Sequence, residues 1–435
     1  MVQEKSGGGR LDGWALGVLA IALVATAGKL WLALRTYGSN DVLYWERFLQ
    51  GYRDLGGVEL YRQHWLFNHP PFMIHVLRAM GWLTSVTGIW FPFWLRLPAI
   101  LADLGSLLLV YKLAGFGEES DGREHPPLRG GAKRDGHKER ARWVALMLMA
   151  ASPISIMVSG FHGNTDPVMI FFVLLSIYLI ERKWPVGLAG VAMGMGLSIK
   201  VVPVIFLPAI VLYLPSWRRR IEYVAAVGAT FALVSLPYIV QDPLIVAKKV
   251  LGYGSLYGHW GLSRVLTWMP PGWGWLDAGF ERYGRYGVVA IVIAAAFWMN
   301  RQSRRPALFA QCGLIMFLFM TLSPGFGIQY VAWLVPWVVG LGTGACVLCY
   351  ATTGVFQFLV YTYWSQGLPW YFADSDHVRD WKGYIVNFEV ACWVAVVVVL
   401  VMFLRRQVRW RCAAATACGA EAATITSTDP GSGCP

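Results

Sequence analysis

Long apolar runs separated by short polar joints constrain this 435-residue chain more than any other feature. They lie near 11–34, 95–114, 142–160, 165–182, 186–214, 221–240, 285–299, 307–323, 329–343, 345–364 and 385–404. A bilayer's hydrocarbon core is about 30 Å thick and takes about 20 helical residues to cross, so many of these runs are long enough to span it. Only 14% of residues are charged, against about 25% in soluble domains, which excludes an ordinary soluble enzyme. The expected fold is all-α, a polytopic bundle of transmembrane helices. The net charge of +12 does not point to nucleic acid, because the basic residues cluster at the ends of apolar segments, where they orient spans.

Two runs are ambiguous. The 186–214 run is interrupted by Lys200, Pro203 and Pro208, and reads as one kinked helix or as two short ones that turn back. The 70–88 run opens with Pro70-Pro71 and contains His75 and Arg78, so it either crosses the membrane or lies along its surface. Short cytoplasmic joints should hold the Lys and Arg excess. Arg182-Lys183, Arg218 to Arg220, Arg301/Arg304/Arg305 and Arg405/Arg406/Arg409/Arg411 share one side only if 186–214 is a hairpin. The charged 115–142 loop joins them if 70–88 is a surface or re-entrant helix. The result is about twelve spans, with both termini cytoplasmic and residues 35–94, 160–166, the turn at Lys200, 241–284, 323–329 and 365–384 on the external side.

Residues 1–411 then form one membrane domain, and the Ala-, Thr-, Gly- and Ser-rich stretch 412–435 is expected to be a disordered cytoplasmic tail. Ala25-Thr26-Ala27 has the form of a signal-peptidase site, but the run continues through Leu30, Trp31, Leu32 and Leu34, which favours an uncleaved anchor. Cys312, Cys346, Cys349 and Cys392 lie in apolar runs and Cys412, Cys418 and Cys434 in the tail. Disulfides are not expected, and the Cys346/Cys349 spacing reads as buried small residues.

Candidate chemistry gathers on the external side. Asn40 and Asp41 follow the first span, where either would serve as a helix N-cap or Asp41 as a functional carboxylate. The turn Phe161-His162-Gly163-Asn164-Thr165-Asp166-Pro167 joins two spans on the same face, and for Asp166 the cap and functional readings stand equal. Lys200 must snorkel, pair or line a cavity, and an anionic phosphate at the membrane surface would suit it. The 241–284 loop holds Tyr253, Tyr257, His259, Trp260, Arg264, Trp268, Trp273 and Trp275. Interfacial anchoring explains most of its tryptophans, and His259 and Arg264 less well. Arg96 and Asp103, seven residues apart on one helix, read as an intramembrane structural pair of positions.

The sequence here resembles a known superfamily. An acidic residue just after the first span, the stretch Gly56-Gly57-Val58-Glu59-Leu60-Tyr61-Arg62 and the turn Phe67-Asn68-His69-Pro70-Pro71-Phe72 resemble the first external loop of GT-C integral membrane glycosyltransferases. Residues Gly190 to Pro208 and Ser323 to Pro336 are similar to segments of polyprenyl-phosphate-mannose-dependent mannosyltransferases. Some members carry two adjacent acidic residues in the first loop and use a divalent metal. Here the pair is Asn40-Asp41, so a metal is not indicated and no cofactor is called for. A large extramembrane C-terminal domain is missing, which argues against oligosaccharyltransferases.

The resemblance implies transfer of a sugar, mannose by expectation, from a polyprenyl-phosphate donor to a glycan, lipid or protein acceptor on the external face, with inversion. A glycosyl phosphate already carries a good leaving group, so the enzyme needs a base for the acceptor hydroxyl and cations for the departing phosphate. Asp41 would be the base. Lys200, Arg264 and His259 would meet the phosphate, and His69, His162, Asp166 and Gln329 would line the sugar site. The alternative is a membrane transporter or lipid-carrier flippase, since intramembrane charges and broken helices also mark translocation paths; no half-repeat appears, which disfavours it. A noncatalytic assembly subunit would leave Asp41 and Lys200 unexplained. The absence of an Asn-x-Ser/Thr sequon favours a bacterial plasma membrane.

Overall fold

The computed structural model describes residues 13–113, 136–252, 254–301, 305–376 and 381–427. It is almost wholly helical. The elements are α1 (Gly13–Arg35), α2 (Asn40–Leu55), α3 (Gly57–Gln63), α4 (Phe72–Thr87), α5 (Phe91–Leu113), α6 (Gly136–Ala150), α7 (Pro153–Ser155) and a π-helical turn Ile156–His162. Then come α8 (Asp166–Glu181), α9 (Val186–Ile199), α10 (Leu207–Tyr213), α11 (Trp217–Ile239), α12 (Pro243–Leu251), α13 (Gly261–Thr267) and α14 (Gly274–Asn300). The chain ends with α15 (Leu308–Leu322), α16 (Val335–Val338), α17 (Thr343–Trp364) and α18 (Gly383–Ser427). The 3-10 stretches Val202–Phe206, Ile328–Leu334 and Val339–Leu341 abut α10 and α16.

Contacts between distant residues sort the helix ends into two groups. At one end the ring of Tyr111 meets Trp143, Arg182 donates to the Lys112 carbonyl, Arg305 to the Leu212 and Tyr213 carbonyls, and Arg406 to the Gly340 carbonyl. The basic joints gather here, as the charge pattern predicts. At the other end stand Asp41, His162, Asp166, Lys200 and the 365–376 loop.

The 186–214 run settles as a hairpin. A side chain on Gly190 would meet Tyr223 and Ala226, and one on Gly194 would meet Val227 and Thr230. Contacts that advance together along both helices mean that α9 and α11 run parallel. The chain must therefore return through 202–213 between them. The break falls at Lys200, whose backbone is extended, where Pro203 lacks the N–H that would bond the Ile199 carbonyl and so cannot continue α9. By length and composition six helices among the described residues suffice to cross a membrane, and four shorter apolar stretches accompany them, Val202–Tyr213 and Ile328–Leu341 included. The chain is an integral membrane protein.

The helix α4 is 16 residues long and is not among the helices long and apolar enough to cross a membrane; it packs against α2, α5 and α9. The expected disordered tail differs from the structure: α18 continues to Ser427. The Ala-rich sequence 413–423 has high intrinsic helix propensity, which explains a helix that needs no core. Most of the 115–142 loop and Tyr253 lie outside the described residues.

Candidate active site

The loop that carries Asp41 is built on a buried arginine. A helix leaves its last carbonyls without intrahelical partners, and Arg96, fully buried on α5, supplies them for α1. Its guanidinium donates to the carbonyls of Ala33 at 3.4 Å and Thr36 at 2.9 Å, and to that of Tyr37. Gly38 follows with φ +109°, and a Cβ there would stand 2.6 Å from the Phe161 carbonyl. Gly38 and Ser39 pair in parallel with Phe372 and Ala373. Asn40 holds the same segment, donating to Asp374 at 3.1 Å and accepting from the Ser375 amide at 2.7 Å.

The α2 cap is Ser39, whose hydroxyl accepts from the Asp41 amide at 3.2 Å and donates to the His162 carbonyl at 2.8 Å. Neither Asn40 nor Asp41 is the cap, so the capping alternative for them is set aside and the Asp41 carboxylate is free for other partners.

Those partners come from the 156–166 turn. The π-helical turn, a form frequent at functional sites, ends at His162, and Gly163 (φ +84°) approaches Val42 so closely that a Cβ would lie 2.3 Å from its methyl. The carboxylate Oδ2 of Asp41 accepts from Asn164 at 2.8 Å and lies 3.0 Å from His162 Nε2. Since an ionised carboxylate only accepts, Nε2 carries a proton. On a neutral ring Nδ1 then accepts from the Tyr361 hydroxyl, 3.1 Å away. Burial raises the Asp41 pKa, but His162, the Asn164 hydrogen bond and the charge of Lys200 outweigh it and hold the carboxyl at about 2. The side chain keeps 31% of its surface exposed, so it is both ionised and reachable.

Asp166 and Lys200 form a second, buried pair. Lys200 Nζ donates to Asp166 Oδ1 at 2.7 Å, and the Trp333 indole donates to Oδ2 at 2.8 Å. The ammonium also lies 4.7 Å from the Tyr330 ring centroid and 5.2 Å from that of Trp333. The capping and snorkelling alternatives both fail for this pair: the carboxylate of Asp166 does not cap α8, and Lys200 is paired. Its charge also reaches His69, where burial first and Lys200 second push the imidazole down to about 3. His69 is therefore neutral at pH 7, its ring 4.4 Å from that of Trp45. Asp41, His69, His162, Asp166 and Lys200 thus form one cluster. Gln329, half-buried, belongs to the same 3-10 stretch as Tyr330 and Trp333.

His259 and Arg264 stand apart from it. Arg264 donates to Glu389 on α18 through Nε at 3.0 Å, with its NH2 group 2.9 Å from the same oxygen. His259 Nδ1 lies 3.5 Å from the Arg264 guanidinium, and Trp381 flanks both residues. The Arg264 charge expected to meet phosphate is matched by a fully buried carboxylate. A third polar group, on the transmembrane helices, joins Lys29, Asp103, Ser155 and Ser159, with Lys29 2.5 Å from Asp103. This gives Asp103 the structural role the sequence suggests. Among the described residues, no three His, Cys, Asp or Glu side chains converge as metal ligands, and Cys312, Cys346, Cys349 and Cys392 are buried and unpaired.

Sequence reasoning missed Asn164, Trp333, Tyr361 and Glu389 as site residues. Asn164 and Trp333 lie inside segments already singled out, whereas Tyr361 and Glu389 give only the weak signal of a polar group within an apolar span.

The fold is that of a polytopic helical membrane protein with a reachable carboxylate, a histidine and a lysine gathered at one end. The sequence pattern of Glycosyltransferase family 87 matches residues 67–324, and the chain belongs to that family. Asp41 lies before the matched region, and His69, His162, Asp166, Lys200, His259 and Arg264 lie within it. A stretch of 85 residues is 27% identical to GPI mannosyltransferase 1 of Candida albicans, and the match covers 20% of this chain and only 21% of that relative. The crystal structure of ArnT from Cupriavidus metallidurans bound to undecaprenyl phosphate is similar over 92% of this chain and 78% of its own, at 14% identity and a TM-score of 0.46. Its apo form gives 90%, 76%, 14% and 0.43.

Proposed function

We propose that this protein transfers a sugar, mannose, from a polyprenyl-phosphate donor to an acceptor hydroxyl, with inversion and with Asp41 as the general base. The observation that carries the reading is the ionised, solvent-reachable Asp41 carboxylate fixed by His162 and Asn164. A carboxylate with so low a pKa is a weak base towards a resting alcohol. It is adequate here because the hydroxyl becomes strongly acidic as its oxygen bonds to the anomeric carbon, so the proton moves late. His162 fixes the direction of the accepting oxygen, and Tyr361 fixes the ring.

Lys200 contributes positive potential toward the departing phosphate while Asp166 limits its net charge, and His69 and Gln329 offer neutral hydrogen-bonding groups to sugar hydroxyls. Arg264, already paired with the buried Glu389, and its neighbour His259 are left out of the phosphate site. Under the positive-inside rule the basic end is cytoplasmic, which puts the Asp41 end outside, in keeping with a bacterial plasma membrane protein. Family membership supports glycosyl transfer over the flippase alternative.

The test is transfer of radiolabel from polyprenyl-phosphate mannose, with polyprenyl-phosphate glucose and arabinose in parallel, by purified protein in the presence of a membrane lipid extract. Labelled product from the mannosyl donor is expected. Movement of the intact donor across vesicles without product would favour the flippase.

A further inference from the structure

Away from Asp41, a groove of about 400 Å³ opens between α2, α4 and the start of α5. Leu43, Leu49 and Phe91 give it an apolar wall, and Arg47 and Arg53 enter it from α2. Gly81 on α4 makes the approach possible. A Cβ there would lie 2.8 Å from Leu49 and 3.0 Å from the Arg53 guanidinium, so the arginine lies directly over the α4 backbone.

Both arginines are exposed, and neither forms an ion pair among the described residues. Glu46 also lines the groove, but its carboxylate accepts from the Tyr37 hydroxyl at 2.6 Å rather than from either arginine, and Asp54 accepts from Gln50 at 2.8 Å. The groove sits where α1 ends and α5 begins, at the level of the membrane surface. Two guanidinium groups against the single lining carboxylate of Glu46 leave the groove net positive beside an apolar wall, which matches a phosphodiester with chains attached.

We propose that this groove binds the headgroup phosphate of an anionic membrane phospholipid. Arg47 and Arg53 contact the phosphate oxygens, and Leu43, Leu49 and Phe91 face the glyceryl and acyl portion. The assignment does not depend on the sugar-transfer reading. Because Asp41 lies in the first turn of α2, the bound lipid also sets the depth of the catalytic loop against the bilayer.

The test is native mass spectrometry of the full-length protein in detergent, titrated separately with phosphatidylglycerol, phosphatidylcholine and glycerol 3-phosphate. Wild-type protein is expected to retain phosphatidylglycerol and neither of the others, which separates a lipid from a free phosphate. Arg47→Gln with Arg53→Gln should weaken retention at least about tenfold, in line with the loss of charge-assisted hydrogen bonds. Arg47→Lys with Arg53→Lys should keep part of it, which separates lost charge from misfolding. Arg282→Gln with Arg285→Gln, on α14 outside the groove, should behave as wild type. Equal retention by the glutamine variant, equal loss in the α14 variant, or displacement of phosphatidylglycerol by equimolar polyprenyl phosphate would each overturn the assignment.

Discussion

Replacing Lys200 with Met tests the buried pair at the centre of the site. Asp166 is fully buried and Lys200 nearly so, with 2.7 Å between Nζ and Oδ1. Methionine fills a similar volume without charge, so the substitution leaves the Asp166 carboxylate with the Trp333 indole and no cation. Removing one partner of a buried ion pair costs about 3–5 kcal/mol, chiefly from the stranded charge. Replacing both charges removes that penalty, so Lys200→Met with Asp166→Asn should recover most of the loss, because the Asn oxygen still accepts from Trp333. Thermal unfolding of the purified variants in one detergent measures the difference. Sugar-transfer kinetics on the same samples separates fold from function: the double variant should be stable yet still show a raised donor KM. Equal stability of Lys200→Met and wild type would refute the argument from burial. A double variant with normal donor KM would remove Lys200 from phosphate recognition.

The other predictions concern the flanking groups. His162→Gln removes the strongest influence that lowers the Asp41 pKa, so the acid limb of kcat/KM against pH should move up from about 2 toward the ordinary 3.8. The folded-state pKa lies below the unfolded value, so this contact stabilises the fold above 3.8 and the stabilisation is lost as pH falls through about 2; an unmoved limb would deny the coupling. Arg264→Gln strands the buried Glu389 and should lower the unfolding temperature, and adding Glu389→Gln should restore it; failure of the rescue would place the Arg264 role elsewhere. Cysteines introduced at Arg219 and Arg305 should be labelled from the cytoplasmic side and one at Tyr257 from the outside; Tyr257 labelling from the cytoplasm would reverse the proposed orientation.

Much of the bundle was legible because membrane spans declare themselves through local hydropathy. The hairpin at 186–214 followed from charge at the joints, and parallel contacts of Gly190 and Gly194 with α11 bear it out. Asp41, His162, Asp166 and Lys200 stood out as polar residues where an apolar chain makes polarity costly. Their pairing was not legible. Asp41 meets His162 across 121 residues and Arg264 meets Glu389 across 125, and helix packing decides such contacts, which no local pattern records. Lys29 was passed over inside an apolar run because its partner Asp103 comes from another helix. The tail from 412 looked structureless for want of a core, whereas alanine propensity alone extends α18.

The central claim is that Asp41 removes the acceptor proton, and Asp41→Asn tests it most directly. Asn keeps the size of the side chain and an oxygen that still accepts from Asn164, while Ser39 continues to cap α2, so the fold should be unchanged. The measurement is the single-turnover rate of sugar transfer from polyprenyl-phosphate mannose, with donor affinity determined on the same protein. The account predicts near-normal donor binding and a rate lower by about 10²–10⁴-fold, the usual loss when a general base is removed. A folded Asp41→Asn protein that transfers sugar at close to the wild-type rate would contradict it.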